Sequence, residues 1–173
     1  MSEKFIDNPT QIRDDEGLDI TNLSNYLSNF LDIDKSSFEL LQFPSGFSNL
    51  TYLISTKNKE YILRKPPIGA NVKSGHDMSR EYKVLSALKN NYKKSPIPLH
   101  YCSDISIVGS DFYIMERIRG TVLRSNNFKK ILTEKSHYDF IASEFVETFV
   151  ELHKLEIDKI GLNGFGRPVG YCH

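Results

Sequence analysis

The run Gln42-Phe43-Pro44-Ser45-Gly46-Phe47-Ser48-Asn49-Leu50-Thr51-Tyr52, with the segment Tyr61-Ile62-Leu63-Arg64-Lys65 that follows it, decides how the chain folds. Alternating apolar residues and turn residues predict strands over 38–43, 50–55 and 60–65, joined by the loop 44–49 and the turn Lys57-Asn58-Lys59. A small, hydroxyl-rich turn between antiparallel strands can bring main-chain N–H groups up to phosphate oxygens. Gly46 lets the backbone approach closely, and Ser45, Ser48 and Asn49 add donors. An ordinary hairpin turn has the same composition, and this segment alone does not separate the two.

The third strand carries more information. Alternation places Ile62 and Arg64 on one face and Tyr61, Leu63 and Lys65 on the other. A triphosphate site on such a strand needs a cation for the α- and β-phosphates and, two residues earlier, an apolar side chain to cover the base. Ile62 and Arg64 meet both needs in one register; a strand that merely ends in solvated basic residues reads the same way. Pro66, Pro67 and Gly69 then break the strand.

A helix is expected over 78–88, where Met78, Tyr82, Leu85 and Leu88 recur at helical spacing. Glu81 stands on the border of that buried face, where a carboxylate wants a cation, and Arg64 is the natural candidate. The alternative is a shoulder glutamate paired with lysine or left in water. Pro96 and Pro98 open an extended stretch through Cys102, and a strand over 111–118 ends at Gly120. On that strand Met115 can line the back of a base pocket, and main-chain groups near Glu116 to Ile118 can meet the edge of an adenine. A core strand with one methionine is the other reading.

Further out, residues 1–18 are polar and read as a loose tail. Ile20, Leu23, Leu27, Phe30 and Leu31 share one face of a helix over 19–31. A long helix over 136–155 carries Ile141, Phe145, Phe149 and Leu152 on one face, and the stretch 161–173 is glycine-rich. Strands in one block and helices in another give an α+β pattern.

Composition narrows the function. The 173 residues carry 22 Lys+Arg against 22 Asp+Glu, a formal charge of zero, which argues against nucleic-acid binding. No apolar run approaches the ~20 residues that span a bilayer, so no membrane partner is expected. No leader is visible at the N-terminus, and Cys102 and Cys172 suggest neither a disulfide framework nor a zinc site. The expectation is a soluble protein of the reducing cytoplasm.

Taken together, QFPSGFSNLTY (42–52), YILRKPP (61–67), SGHDMSREYKVLSAL (74–88), SPIPLHYCSD (95–104) and VGSDFYIMERIRG (108–120) resemble the N-terminal lobe of the aminoglycoside phosphotransferase / choline-kinase-like family. That family lies within the protein-kinase-like superfold, and the branch most similar is the one related to kinase domains fused to acyl-CoA dehydrogenases. Leu152-His153 and Gly164-Phe165-Gly166-Arg167-Pro168 continue the likeness more loosely. The resemblance implies an α+β kinase-like N-lobe over 38–120, with an antiparallel sheet of about five strands and one αC-like helix. A tail and amphipathic helix over 1–37 would precede it, and the start of a helical C-lobe over 121–173 would follow. It further implies transfer of a γ-phosphoryl group from ATP or GTP to a hydroxyl of a small molecule. The nucleotide-contacting positions would be Ser45, Gly46, Ser48, Asn49, Ile62, Arg64, Glu81, Met115, Glu116 and Ile118. Arg64 stands where many relatives have lysine.

The family's chemistry also uses a His-Gly-Asp loop and a later Mg²⁺-binding aspartate. None of His76, His100, His137, His153 and His173 is followed by Gly-Asp, and His76-Asp77 precedes the helix rather than a catalytic loop. The chain is therefore expected to hold a nucleotide half-site without catalytic residues or Mg²⁺ ligands, as a truncated member of the family. The helix over 136–155 is then expected to lack a packing layer, favouring self-association or a separate C-lobe polypeptide as partner. A non-catalytic kinase-like binding module, a decayed remnant, and an unrelated α+β domain that imitates the motif order are the other readings.

Overall fold

The computed structural model describes residues 7–44, 48–69, 76–125 and 127–166. The elements run α1 (Ile20–Leu27), β1 (Glu39–Gln42), β2 (Leu50–Ser55), β3 (Glu60–Lys65), α2 (Met78–Leu88), β4 (Pro98–Cys102), α3 (Ile105–Val108), β5 (Phe112–Glu116), α4 (Phe128–Ile131) and α5 (Lys135–His153). The strands form one antiparallel sheet in the order β1-β2-β3-β5-β4. The α+β class and the antiparallel sheet match the expectation. β1 and β5 are shorter than read, and the long helix spans 135–153 rather than 136–155.

Each face of the sheet carries a helix. On one face Tyr52, Ile54, Leu63, Phe112 and Ile114 meet Leu23 and Leu27 of α1 in the main core cluster. Asp19 caps α1 by accepting the Asn22 N–H at 2.9 Å. Two residues expected on the buried stripe of α1 are not buried there: Ile20 and Phe30 are exposed. The helix ends at Leu27, which takes Phe30 off its face, and the Phe30 ring stacks on His100 at 4.1 Å instead.

Residues 10–16, expected in a loose tail, are docked. Thr10 bridges Gln42 on the edge of β1, and the Arg13 N–H donates to Gln42 Oε1 at 3.0 Å. Gln42 Nε2 donates to Glu16, and the Tyr52 hydroxyl donates to the Glu16 carbonyl at 2.8 Å. Polar bonds, together with Ile12 packed against the core, fix this segment. Lys65 likewise is not a solvated strand end: it is buried, and Nζ donates to the Val108 carbonyl at 2.8 Å.

Burial, with the Glu16 carboxylate adding to it, pushes the Tyr52 phenol up to about 12. The unfolded chain gives up that proton near pH 10, whereas the folded chain holds it until about pH 12. The contribution is fully present below the unfolded value and is lost as pH rises through the folded one. Raising the pH from 10 to 11 is expected to cost about 1 kcal/mol through Tyr52. Urea unfolding at the two pH values should show that share of the loss removed in Tyr52→Phe. Lys65 acts in the opposite sense. Desolvation lowers its pKa, so its penalty stands at neutral pH and lifts as pH climbs toward the unfolded value.

On the other face, α2 packs over β5 and β4 through Tyr82, whose ring lies 6.2 Å from Tyr113 and 5.6 Å from Tyr101. Asp77 caps α2 by accepting the Arg80 N–H at 2.8 Å, which gives His76-Asp77 a structural use. The longest helix, α5, has no buried residue and leaves Phe140, Phe145 and Phe149 more than half exposed. It reaches α2's loop through Lys94, which pairs with Glu151 at 3.0 Å. Among the described residues, no helix is long and apolar enough to cross a membrane.

Candidate functional site

Strand register builds the site. Thr51 pairs with Arg64, Arg64 with Tyr113, and Ile62 with Met115, so these side chains share the sheet face that α2 covers in part. Where α2 does not reach, the face opens into a cleft of about 400 Å³. Phe43, Thr51, Ile62, Pro96 and Met115 line it on the sheet side, and the segment from Glu116 to Val122 forms its rim. A second hollow of about 500 Å³ continues beneath α2, lined by Arg64, Glu81, Tyr113, Val84 and Leu85. The two hollows share Pro96 and Met115, so one groove runs from the segment after β5 to Arg64.

The apolar end suits a flat ring. Ile62 and Met115 present hydrocarbon and thioether, and the main chain of Arg117 and Ile118 runs past the last paired residue of β5. Glu116 spends its N–H on the Ile97 carbonyl at 2.9 Å and its carboxylate on the Ile97 N–H at 3.1 Å, so its side chain holds the start of β4 in place. Arg117, nearly buried, pairs with Glu60 at 2.8 Å and lies 5.8 Å from the Phe43 ring, closing the outer wall.

The polar end centres on Glu81. Arg64 Nε lies 3.2 Å from Oε2 and Nη2 lies 3.5 Å from Oε1. The Nε–H is not aimed at the nearer oxygen, and among the described residues this buried donor has no hydrogen-bond partner. Tyr113 donates to Oε2 at 2.9 Å and Asn49 Nδ2 to Oε1 at 2.7 Å. Burial, opposed by the neighbouring Arg64 cation, drives the pKa of the Tyr113 phenol well above its usual value.

Of the residues expected to form the site, Ile62, Arg64, Glu81, Met115, Glu116 and Ile118 all border this groove. Asn49 is buried and turned to Glu81 and His76, so its amide is spent inside the protein. Ser48 is exposed at the mouth of its loop, and Ser45 and Gly46 lie outside the described residues. Tyr113, Phe43, Pro96 and His76 were not anticipated. Tyr113 was within reach, since it precedes Met115 by two residues and so shares its face. Among the described residues no three His, Cys, Asp or Glu side chains gather as a metal site.

Residues 39–172 match the family described as "Phosphotransferase enzyme family". Acyl-CoA dehydrogenase family member 11 of Gallus gallus is 33% identical over 162 residues, covering 94% of this chain and 20% of the relative. Its Homo sapiens counterpart is 33% identical over 150 residues, covering 87% of this chain and 19% of the relative. The chain thus spans about a fifth of the length of these curated relatives. A crystal structure of a Ralstonia eutropha protein assigned as an aminoglycoside phosphotransferase superposes with a TM-score of 0.72 at 26% identity, covering 90% of this chain and 44% of that one.

Proposed function

Since the chain belongs to the phosphotransferase enzyme family, we propose that its groove is the nucleotide half-site of a kinase that phosphorylates a hydroxyl of a small molecule. The observation that carries this reading is Arg64. It is a cation at the polar end of an apolar-walled groove, steered by Glu81 and held by it only loosely, at 3.2 and 3.5 Å. The Arg64 side chain as a whole remains 30% exposed, which leaves its charge open to an anion in the groove.

ATP or GTP fits the residues present. Ile62 and Met115 would pack together against one face of the base, the main chain from Glu116 to Ile118 would meet its edge, and Arg64 would hold phosphate oxygens by charge-assisted hydrogen bonds. The bound nucleotide would supply the γ-phosphoryl group. On the sequence pattern, Ser45, Gly46 and Ser48 would be the nucleotide's further phosphate contacts. Phosphoryl transfer also calls on a base and on carboxylates for Mg²⁺, and the described residues bring no such cluster to the groove. Our reading of this chain is therefore nucleotide binding, with transfer completed by groups beyond those described. We place the protein in the cytoplasm, in keeping with Cys102, which is buried and unpaired. We also propose a cover for α5, from a second copy or a separate polypeptide, because its phenylalanines stand open.

Titration of the chain with ATP and with GTP, followed by calorimetry, tests the reading. Saturable binding is expected for at least one of them. Arg64→Ala should weaken it about ten- to a hundredfold, the worth of a hydrogen-bonded charge on phosphate. Absence of saturable binding to the unmutated chain would sink the proposal.

A further inference from the structure

The Glu81 carboxylate is gripped by two neutral donors and only loosely by its cation. Asn49 and Tyr113 reach it at 2.7 and 2.9 Å, while Arg64 stays at 3.2 and 3.5 Å. Arginine–carboxylate pairs ordinarily close to about 2.7–2.9 Å. This chain makes such pairs elsewhere: Arg117 reaches Glu60 at 2.8 Å, Arg119 reaches it at 2.7 Å, and Arg13 reaches Glu16 at 2.7 Å. Arg64 is looser than these three, as is Arg124 with Asp7 at 3.4 Å, but of the two carboxylates in these loose pairs only Glu81 takes two further short donors among the described residues.

The two neutral donors are well fixed. Tyr113 and Asn49 are 2% and 6% exposed. A carboxylate paired with a cation only accepts, so Asn49 must turn its Nδ2 to Glu81 and its Oδ1 to His76, which donates from Nδ1 at 2.8 Å. Each donor holds a different oxygen of Glu81, so the carboxylate can neither rotate nor slide toward the guanidinium without breaking a short bond inside the protein.

We infer that Tyr113 and Asn49 are positioning residues: they hold Glu81 where it aims Arg64 along the groove without saturating it, so that guanidinium donors stay available to a phosphate. The inference rests on the nucleotide reading and adds the device that keeps Arg64 open. Without Tyr113, Oε2 is released and Glu81 closes on Arg64 as an ordinary ion pair, so an incoming phosphate must compete for the cation.

The test is titration of the chain with ATP and with adenosine, which lacks phosphate. Tyr113→Phe is expected to weaken ATP about five- to tenfold, the worth of one net hydrogen bond, and to leave adenosine unchanged. Asn49→Ala, which frees the other oxygen, should act in the same sense and serves if Tyr113→Phe folds poorly. In an Arg64→Ala background neither substitution should weaken ATP further. Equal losses for ATP and adenosine would overturn the inference, as would additive losses with Arg64→Ala. If Arg64→Ala weakens ATP while Tyr113→Phe and Asn49→Ala do not, the inference falls and the nucleotide reading stands. If the unmutated chain binds neither ligand, both fall.

Discussion

Replacing Phe112 by alanine is expected to cost about 3–5 kcal/mol of folding stability, the range for removing a fully buried aromatic ring. Phe112 has no solvent exposure and begins the strand that joins β3 to β4. Its ring meets Tyr26 edge-on at 6.1 Å, which ties α1 to the sheet. It also belongs to the cluster that includes Leu23, Leu27, Tyr52 and Leu63. The cavity would open at the junction of helix and sheet, where rigid strands on one side limit collapse. Against a total stability of about 5–15 kcal/mol for a domain, such a loss leaves little margin. Urea unfolding followed by circular dichroism gives the measurement. Phe112→Leu, which keeps most of the volume, should cost about 1–2 kcal/mol and provides a folded comparison. A Phe112→Ala loss below about 1 kcal/mol would mean that α1 is not seated on this face, since full burial cannot be that cheap.

The parts of the fold that were legible in the sequence are those written in local chemistry. β2, β3 and α2 were readable to the residue because alternation, turn residues and a capping aspartate all act over a few positions. The strand order β1-β2-β3-β5-β4 was not, because pairing β3 with β5 across α2, β4 and α3 is a non-local choice that no short pattern encodes. Nor was α3, which at four residues is too short for helical periodicity and rests on the Asp104 cap and on Gly109 at φ 81°. The docking of residues 10–16 depends on Gln42 and Tyr52 finding polar partners, which hydrophobic patterning does not register. Ile20 and Phe30 show the reverse error. They fit the apolar stripe, yet a helix that ends at Leu27 has no way to bury both.

The site divides in the same way. Period-two alternation put Ile62 and Arg64 on one face, and the same rule extended along β5 adds Tyr113 to Met115. Asn49 looked like a phosphate donor because its loop is rich in small polar residues. Only the approach of α2 turns it inward to Glu81. Lys65 looked solvated because it ends a strand, and only the packing of α3 supplies the Val108 carbonyl that holds it. In each case the residue type was visible in the sequence, and its partner came from an element that tertiary structure brings in.

Removing Glu81 tests the whole polar end at once. Glu81→Ala is expected to cost about 3 kcal/mol of stability and to weaken ATP binding at the same time. Loss of one partner of a buried ion pair costs about 3–5 kcal/mol, and the lower end applies because the Arg64 and Glu81 side chains remain 30% and 33% exposed. Three donors lose their acceptor together: Arg64, Tyr113 and Asn49. Tyr113 and Asn49 are too buried for water to replace it at no cost. Glu81→Gln separates the two effects. Its oxygen can still accept from Tyr113 or Asn49, so stability should fall by only about 1 kcal/mol. Its amide offers Arg64 no charge, so the guanidinium loses its guide and ATP affinity should drop nearly as far as in Glu81→Ala. Denaturant midpoints and ATP titrations on the pair give both readings. If Glu81→Gln keeps full ATP affinity, the carboxylate serves the fold alone and Arg64 needs no partner to do its work.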